Sequence, residues 1–202
     1  PPPMLDHQVV WAVRPAQGCL EGPAYGDGSG KPPAGQRRLR CGWSVVQFVQ
    51  QKGFFVLTAE IHGHLPGLHQ DVPASEAYGF LMYLQHVGLG PYVYHTDCAW
   101  VLTTWQGGRE HSTGAKHVHA GLWRRIFDKA DEMGPVSIVK VKAHVTQTAV
   151  RDGHADPWHK AGNDYADAGA KREAQGHPRC EAADKRCEQS FKVVTLLAKY
   201  LA

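Results

Sequence analysis

The stretch Pro23-Ala24-Tyr25-Gly26-Asp27 runs directly into Gly28-Ser29-Gly30-Lys31-Pro32-Pro33. It reads as a short strand that ends on an acid and meets a turn. Glycine and proline bend a chain sharply there and leave backbone N–H groups free. Downstream, Cys41 to Gln50 and Phe54 to His62 are rich in Val and aromatic residues, with Gln51-Lys52-Gly53 between them. That pattern predicts a meander of antiparallel strands.

Leu65-Pro66-Gly67 ends the meander. Pro73-Ala74-Ser75-Glu76 opens a helix, with Ser and Asp available as caps and Ala77, Phe80, Leu81 and Leu84 at helical spacing. Gly88 and Gly90-Pro91 stop it. Tyr92-Val93-Tyr94-His95-Thr96-Asp97 reads as a buried strand with a polar end. Cys98 to Trp105 is a short helix, followed by a polar loop and a helix from His119 to Met133. Val136 to Val141 is a strand, 145–160 a long polar loop, and Ala161 to Ala174 an Ala-rich helix. The order predicts an α/β fold: a mixed five-stranded sheet, three antiparallel strands then two parallel, flanked by helices. Ligands in such sheets gather where strands end and the chain reverses its order.

Outside this body, residues 1–21 read as a linker or lead-in segment around the apolar stretch Val9 to Val13, which could be a lead-in strand. The body spans 22–174. Residues 175–202 form a C-terminal extension, with Phe191, Val194, Leu197 and Leu201 on one face of an amphipathic helix.

Composition narrows the function classes. Of 202 residues, 43% are apolar and 20% charged, which fits a globular domain rather than a disordered or fibrous chain. No apolar run reaches the length of a membrane span, so no membrane partner is expected. Five cysteines without a C-x-x-C pair argue against a disulfide scaffold or zinc ribbon and predict an intracellular, reducing setting, cytoplasm or nucleus. The start, Pro1-Pro2-Pro3, is read as a cut from a longer protein. Basic residues number 6 against 7 acidic in the first hundred positions, and 16 against 12 in the rest. The second half is therefore mildly basic, which suits a polyanion.

Four acids occupy four separate elements: Asp27 at a strand end, Glu76 in a first helical turn, Asp97 at another strand end, and Asp167 on the Ala-rich helix. Singly, each is an ordinary surface residue or helix cap. Together, at points a mixed sheet can bring side by side, they form a cluster that needs neutralising, because like charges raise each other's pKa. Hard divalent cations with oxygen preference do this, Mg²⁺ foremost.

The joint pattern resembles type I ribonuclease H over roughly residues 22–174, and so implies a ribonuclease H-like fold. Tyr25-Gly26-Asp27-Gly28-Ser29-Gly30 looks like that family's first strand with its D-G-S turn. Ser75-Glu76-Ala77 resembles the helix with the catalytic Glu, and His95-Thr96-Asp97-Cys98 the T-D-S/C strand end. Leu122-Trp123-Arg124-Arg125-Ile126 is similar to its L-W-x-x-I/L helix, and Val139 to His144 to its last strand. Gly162-Asn163-Asp164-Tyr165-Ala166-Asp167 is similar to G-N-x-x-A-D.

The resemblance implies an endoribonuclease that hydrolyses the RNA strand of RNA/DNA hybrids by two-metal-ion catalysis. Asp27, Glu76, Asp97 and Asp167 would bind two Mg²⁺ ions about 4 Å apart, with Mn²⁺ a possible substitute. Asp164 is the rival for the fourth place. Asn163 precedes Asp167 by the family's four positions, which favours Asp167. His144 is implied in proton transfer or product departure, with His154 and His159 as alternatives in an unusually long loop. Gly28, Ser29 and Asn163 are candidates to read the 2′-OH or a nearby phosphate. Arg37, Arg38, Arg40, Arg124 and Arg125 are candidate phosphate contacts, because the segment between Asp97 and Trp123 leaves little room for the basic protrusion of some family members. The short form is similar to ribonuclease H domains attached to retroelement reverse transcriptases. A polymerase domain in the same parent chain is then a candidate partner.

Three rival readings stay open. One is a DNA-directed enzyme of the same fold, integrase- or resolvase-like. Another is a non-catalytic nucleic-acid-binding scaffold. The third is a zinc protein using His62, His64, His69 and a Cys.

Overall fold

The computed structural model describes residues 9–32, 39–67, 69–176 and 181–201. Its sheet has six strands in the order β1-β4-β3-β2-β5-β6. They are β1 (Val10–Val13), β2 (Ala24–Lys31), β3 (Arg40–Gln51), β4 (Phe54–His64), β5 (Tyr92–Thr96) and β6 (Val136–Lys140). Helices follow as α1 (Val72–His86), α2 (Ala99–Gln106), α3 (Gly108–Thr113), α4 (Ala120–Asp131), α5 (Gln147–Arg151), α6 (Pro157–Gly176) and α7 (Glu181–Leu201). The meander and the two later parallel strands lie as expected. The strand beyond the predicted five is β1, which pairs antiparallel with β4 and comes from the apolar stretch of the lead-in.

A second difference lies at the opening stretch. Gly28 to Lys31 continue as strand rather than turn, with Gly28 opposite Trp43, Ser29 opposite Gly42 and Gly30 opposite Cys41. Glycine is a weak strand former, but here its missing side chain is what admits the neighbour. A Cβ on Gly28 would lie 2.4 Å from the backbone nitrogen of Glu76. Helix α1 thus rests directly on β2 at that point.

The hairpin between β3 and β4 turns through Lys52 and Gly53, with φ of 50° and 84°. Positive φ at both central residues matches strand twist in a two-residue hairpin. Helix α1 starts where Asp71 Oδ1 accepts the amide of Ala74 at 2.7 Å, with a proline in its first turn. Every residue from Ala74 to Leu84 is buried, because α1 lies between the sheet and α4. Trp43, Phe80, Tyr83, Tyr94, Trp123 and Ile126 are fully buried in this main core.

The opposite sheet face carries α6 over a smaller core of Tyr25, Val46, Phe48, Val141 and Ala166. Close seating again depends on glycine: a Cβ on Gly162 would lie 2.4 Å from the Tyr25 ring. The 145–160 loop is partly helical, as α5, and α6 begins earlier than Ala161, at Pro157. On α7, Phe191, Val194 and Leu197 are exposed. No helix among the described residues is long and apolar enough to cross a membrane.

Candidate active site

Strand β2 is where the sheet changes sense. It pairs antiparallel with β3 and parallel with β5, with Ala24 opposite Tyr94 and Tyr25 opposite His95. Carried two residues further, this register sets Asp27 beside Asp97, just past the end of β5. Neighbouring strands lie ~5 Å apart, so the two carboxylates are forced together by register alone. Helix α1 adds the third acid, because its backbone sits against Gly28 and leaves Glu76 at the same point. Carboxylate oxygens of Asp27, Glu76 and Asp97 all lie within 4.8 Å of one another.

Asp27 is 6% exposed and Glu76 5%. Burial is the main reason Asp27 is pushed up from 3.8 to about 7, with the Asp97 and Asp167 charges adding to it. Burial likewise holds Glu76 well above the ordinary carboxyl range, and Asp27 adds to that. The pair therefore retains a proton near neutral pH that separated acids would lose, and a hydrogen bond links the two groups. The second oxygen of Glu76, Oε2, is buried with no hydrogen-bond partner. Beneath them the Tyr94 ring is fully buried, its hydroxyl also without a partner. An all-oxygen donor set with an orphaned buried carboxylate oxygen fits a hard divalent cation.

Asn163 is buried on α6 and donates from Nδ2 to Asp97 Oδ2 at 3.1 Å. Asp167 lies one turn further along α6 and acts electrostatically on Asp27, but its Oδ2 is held by Lys171 at 2.6 Å. Asp164 faces elsewhere: it pairs with Lys160 and lines a surface pocket with Phe55, Val150 and Tyr165. Gly28 and Ser29 lie on β2 beside the carboxylates, their backbones inside the β2–β3 ladder.

His144 is exposed, with a φ of 49° in the turn after β6. His154 is exposed as well, and its carbonyl accepts from Lys142 Nζ at 3.1 Å. His159 belongs to α6 rather than to a loop, and its Nδ1 lies 2.8 Å from the Tyr25 hydroxyl. Of the basic candidates, Arg40 is 8% exposed inside the fold. Arg124 donates to the Thr113 carbonyl, and Arg125 bonds to Tyr78. Arg37 and Arg38 lie outside the described residues.

Two residues beside the site were not singled out from the sequence. Tyr94 gave only a strand signal. Lys140 donates to the Asp97 carbonyl at 2.9 Å, and its place next to Thr96 in the β5–β6 ladder becomes visible only with the register. The zinc reading does not hold together: His62 and His64 both meet Glu173 of α6, while His69 lies with Asp71 and His119. Cys19, Cys41, Cys98 and Cys187 are all free thiols.

No family profile and no curated protein matches the chain. Solved structures do. The foamy viral protease-reverse transcriptase in complex with an RNA/DNA hybrid matches at TM-score 0.55 and 15% identity, over 75% of this chain and 20% of that one. The PFV RNase H domain matches at TM-score 0.54 and 19% identity, over 79% of this chain and 97% of that one. The LC9 ribonuclease H, a type 1 enzyme with the type 2 active-site motif, matches at TM-score 0.54 and 13% identity, over 77% and 72%. The fold is thus the ribonuclease H-like fold, as the motif resemblance implied. The chain spans about a fifth of the hybrid-bound reverse transcriptase chain and nearly all of the PFV domain.

Proposed function

We propose that the protein is an endoribonuclease that hydrolyses the RNA strand of RNA/DNA hybrids with divalent metal ions. The observation that carries this reading is the convergence of Asp27, Glu76 and Asp97, from three separate parts of the chain, within 4.8 Å of one another, the first two buried and the third partly so. Such a concentration of acid is costly without a cation, and the raised pKa values of Asp27 and Glu76 express that cost. Its position at the sheet's switch point, on a fold shared with ribonuclease H domains, supports the same reading.

Asp27, Glu76 and Asp97 would hold the ions, joined by Asp167 once Lys171 releases it. A pair of Mg²⁺ ions, or Mn²⁺ in their place, would supply charge neutralisation at the scissile phosphate and a nucleophilic water at neutral pH. Asn163 fixes the orientation of Asp97 through its amide. Packing of α1 on Gly28 fixes Glu76 relative to Asp27. Gly28 and Ser29 lie near enough to Asp27 to meet the sugar–phosphate backbone of the RNA strand. Recognition of RNA rests on its 2′-OH, and contacts to sugar and phosphate make it independent of base sequence. His144, exposed on its turn, would assist product departure. Asp167 is preferred to Asp164 as the fourth acid because its charge is felt at Asp27, whereas Asp164 pairs with Lys160 on another face.

A strand-labelled hybrid incubated with Mg²⁺ or Mn²⁺ tests this. Cleavage confined to the RNA strand, abolished in Asp27→Asn, is the expected result. A folded protein inert with both metals overturns the enzyme reading. Equal cutting of double-stranded DNA makes the protein DNA-directed. A reverse transcriptase polymerase domain remains the partner of choice, and copurification with a longer parent product would show it.

A further inference from the structure

The start of α1 carries a second group of metal-ligating side chains, of different chemistry. His69 Nε2 lies 2.7 Å from Asp71 Oδ2, and His119 Nε2 lies 3.2 Å from Asp71 Oδ1. The three ligand atoms fall within 4.8 Å of one another. Asp71 is the N-cap of α1, so its carboxylate is held in place by the Ala74 amide. His119 immediately precedes α4, and its ring stands edge-on to Trp100. Both ligands therefore have fixed positions before any ion arrives. His69, 75% exposed, is the side chain that keeps the group open to solvent. A further imidazole crowds the same place: His117 stacks on Trp100 and its buried Nδ1 has no partner.

We propose that His69, Asp71 and His119 form a site for a borderline divalent cation of the Zn²⁺ class, separate from the carboxylate centre. Two imidazoles and one carboxylate suit Zn²⁺, Co²⁺ or Ni²⁺ and not Mg²⁺, which prefers oxygen alone. Three protein ligands leave at least one position for water. The cation would tie the start of α4 to the start of α1, the helix that bears Glu76. A simple ion triad, with Asp71 between two histidines, is the competing explanation of the same distances.

The test uses protein carrying Asp27→Asn and Glu76→Gln, which removes the carboxylate centre as a binding site, so its result is independent of the nuclease reading. Calorimetric titration with Zn²⁺, and Co²⁺ absorption as a ligand-field signature, should each show one equivalent bound. Adding His69→Ala, an exposed change that leaves the fold intact, should weaken binding about tenfold or more, since even indirect partners of a metal are worth that much. His119→Gln should weaken it as well. No binding at ~100 µM Zn²⁺, a free energy of only about 5 kcal/mol, overturns the site and leaves the ion triad. Binding unchanged by His69→Ala also overturns it, and sensitivity to His62→Ala instead moves the cation to β4.

Discussion

The acids gathered at the end of β2 and those of α6 carry the same formal charge, yet they live under different physics. Asp27 and Glu76 are buried, and each is pushed up by that burial and by its neighbours. Asp164 and Asp167 are each held by a lysine four residues on or back, Lys160 and Lys171, as helical spacing allows. On the sheet, register and helix seating force the carboxylates together whether or not charge favours it. On the helix, a flexible partner neutralises each acid at little cost. The proposed chemistry, which needs uncompensated negative charge, is therefore assigned to Asp27, Glu76 and Asp97. In that proposal Asp167 of α6 would be a reserve ligand, and the Asn163 amide orients Asp97.

The contrast can be broken most directly at Asp27. Asp27→Asn should lower hybrid cleavage ~10³-fold or more, equivalent to about 4 kcal/mol of transition-state stabilisation. A loss under tenfold in the labelled-hybrid assay would remove the sheet acids from the reaction.

Metal-free stability offers the next largest effect. The folded pKa of Asp27 is raised from 3.8 to about 7, so the folded state binds the proton more tightly than the unfolded one. That contribution to stability is full below pH 3.8 and is lost as pH rises through about 7. In chelator, the wild type should lose on the order of 2–4 kcal/mol over this window that Asp27→Asn does not lose, at 1.36 kcal/mol per pKa unit. Denaturant midpoints across pH measure the difference. Mg²⁺ at alkaline pH should restore the wild type alone.

Within the helix, Asp167→Asn should cost roughly 10–100-fold in rate, or about 1.4–2.8 kcal/mol, and Asp164→Asn less than about twofold. The reverse order would hand the fourth place to Asp164. Gly28→Ala drives a Cβ into the backbone of α1 and should cost roughly 1–3 kcal/mol of stability, together with activity as Glu76 shifts. An unchanged melting curve would mean that α1 can slide. The smallest effect is expected at His144→Ala, about tenfold in turnover or less. His154→Ala run alongside shows which of the two exposed histidines matters.

Much of this architecture was legible in the linear chain. Strong period-2 and helical patterns marked five strands and the main helices, and motif order pointed to the acids. Errors fell where local preference was overruled. Gly28 to Lys31 look like a turn, yet they pair with β3 as strand, and α1 occupies the space that side chains at Gly28 and Gly30 would fill. Val9 to Val13 left linker and lead-in strand both open, and pairing with the edge of β4 makes Val10–Val13 a strand. His159 looked like a loop residue, but Pro157 starts α6 before it and Tyr25 holds its ring.

The sequence by itself determined which residue types stand at strand ends and helix starts, because those signals depend on neighbours in the chain. It also determined the excess of basic residues in the second half. Only the tertiary structure decided that Asp27 and Asp97 stand side by side, that Asn163 serves Asp97, and that His69 meets His119 across 50 residues. Those pairings rest on strand register and on how closely helices seat. Both are set by packing between residues far apart in the chain, which no local pattern encodes.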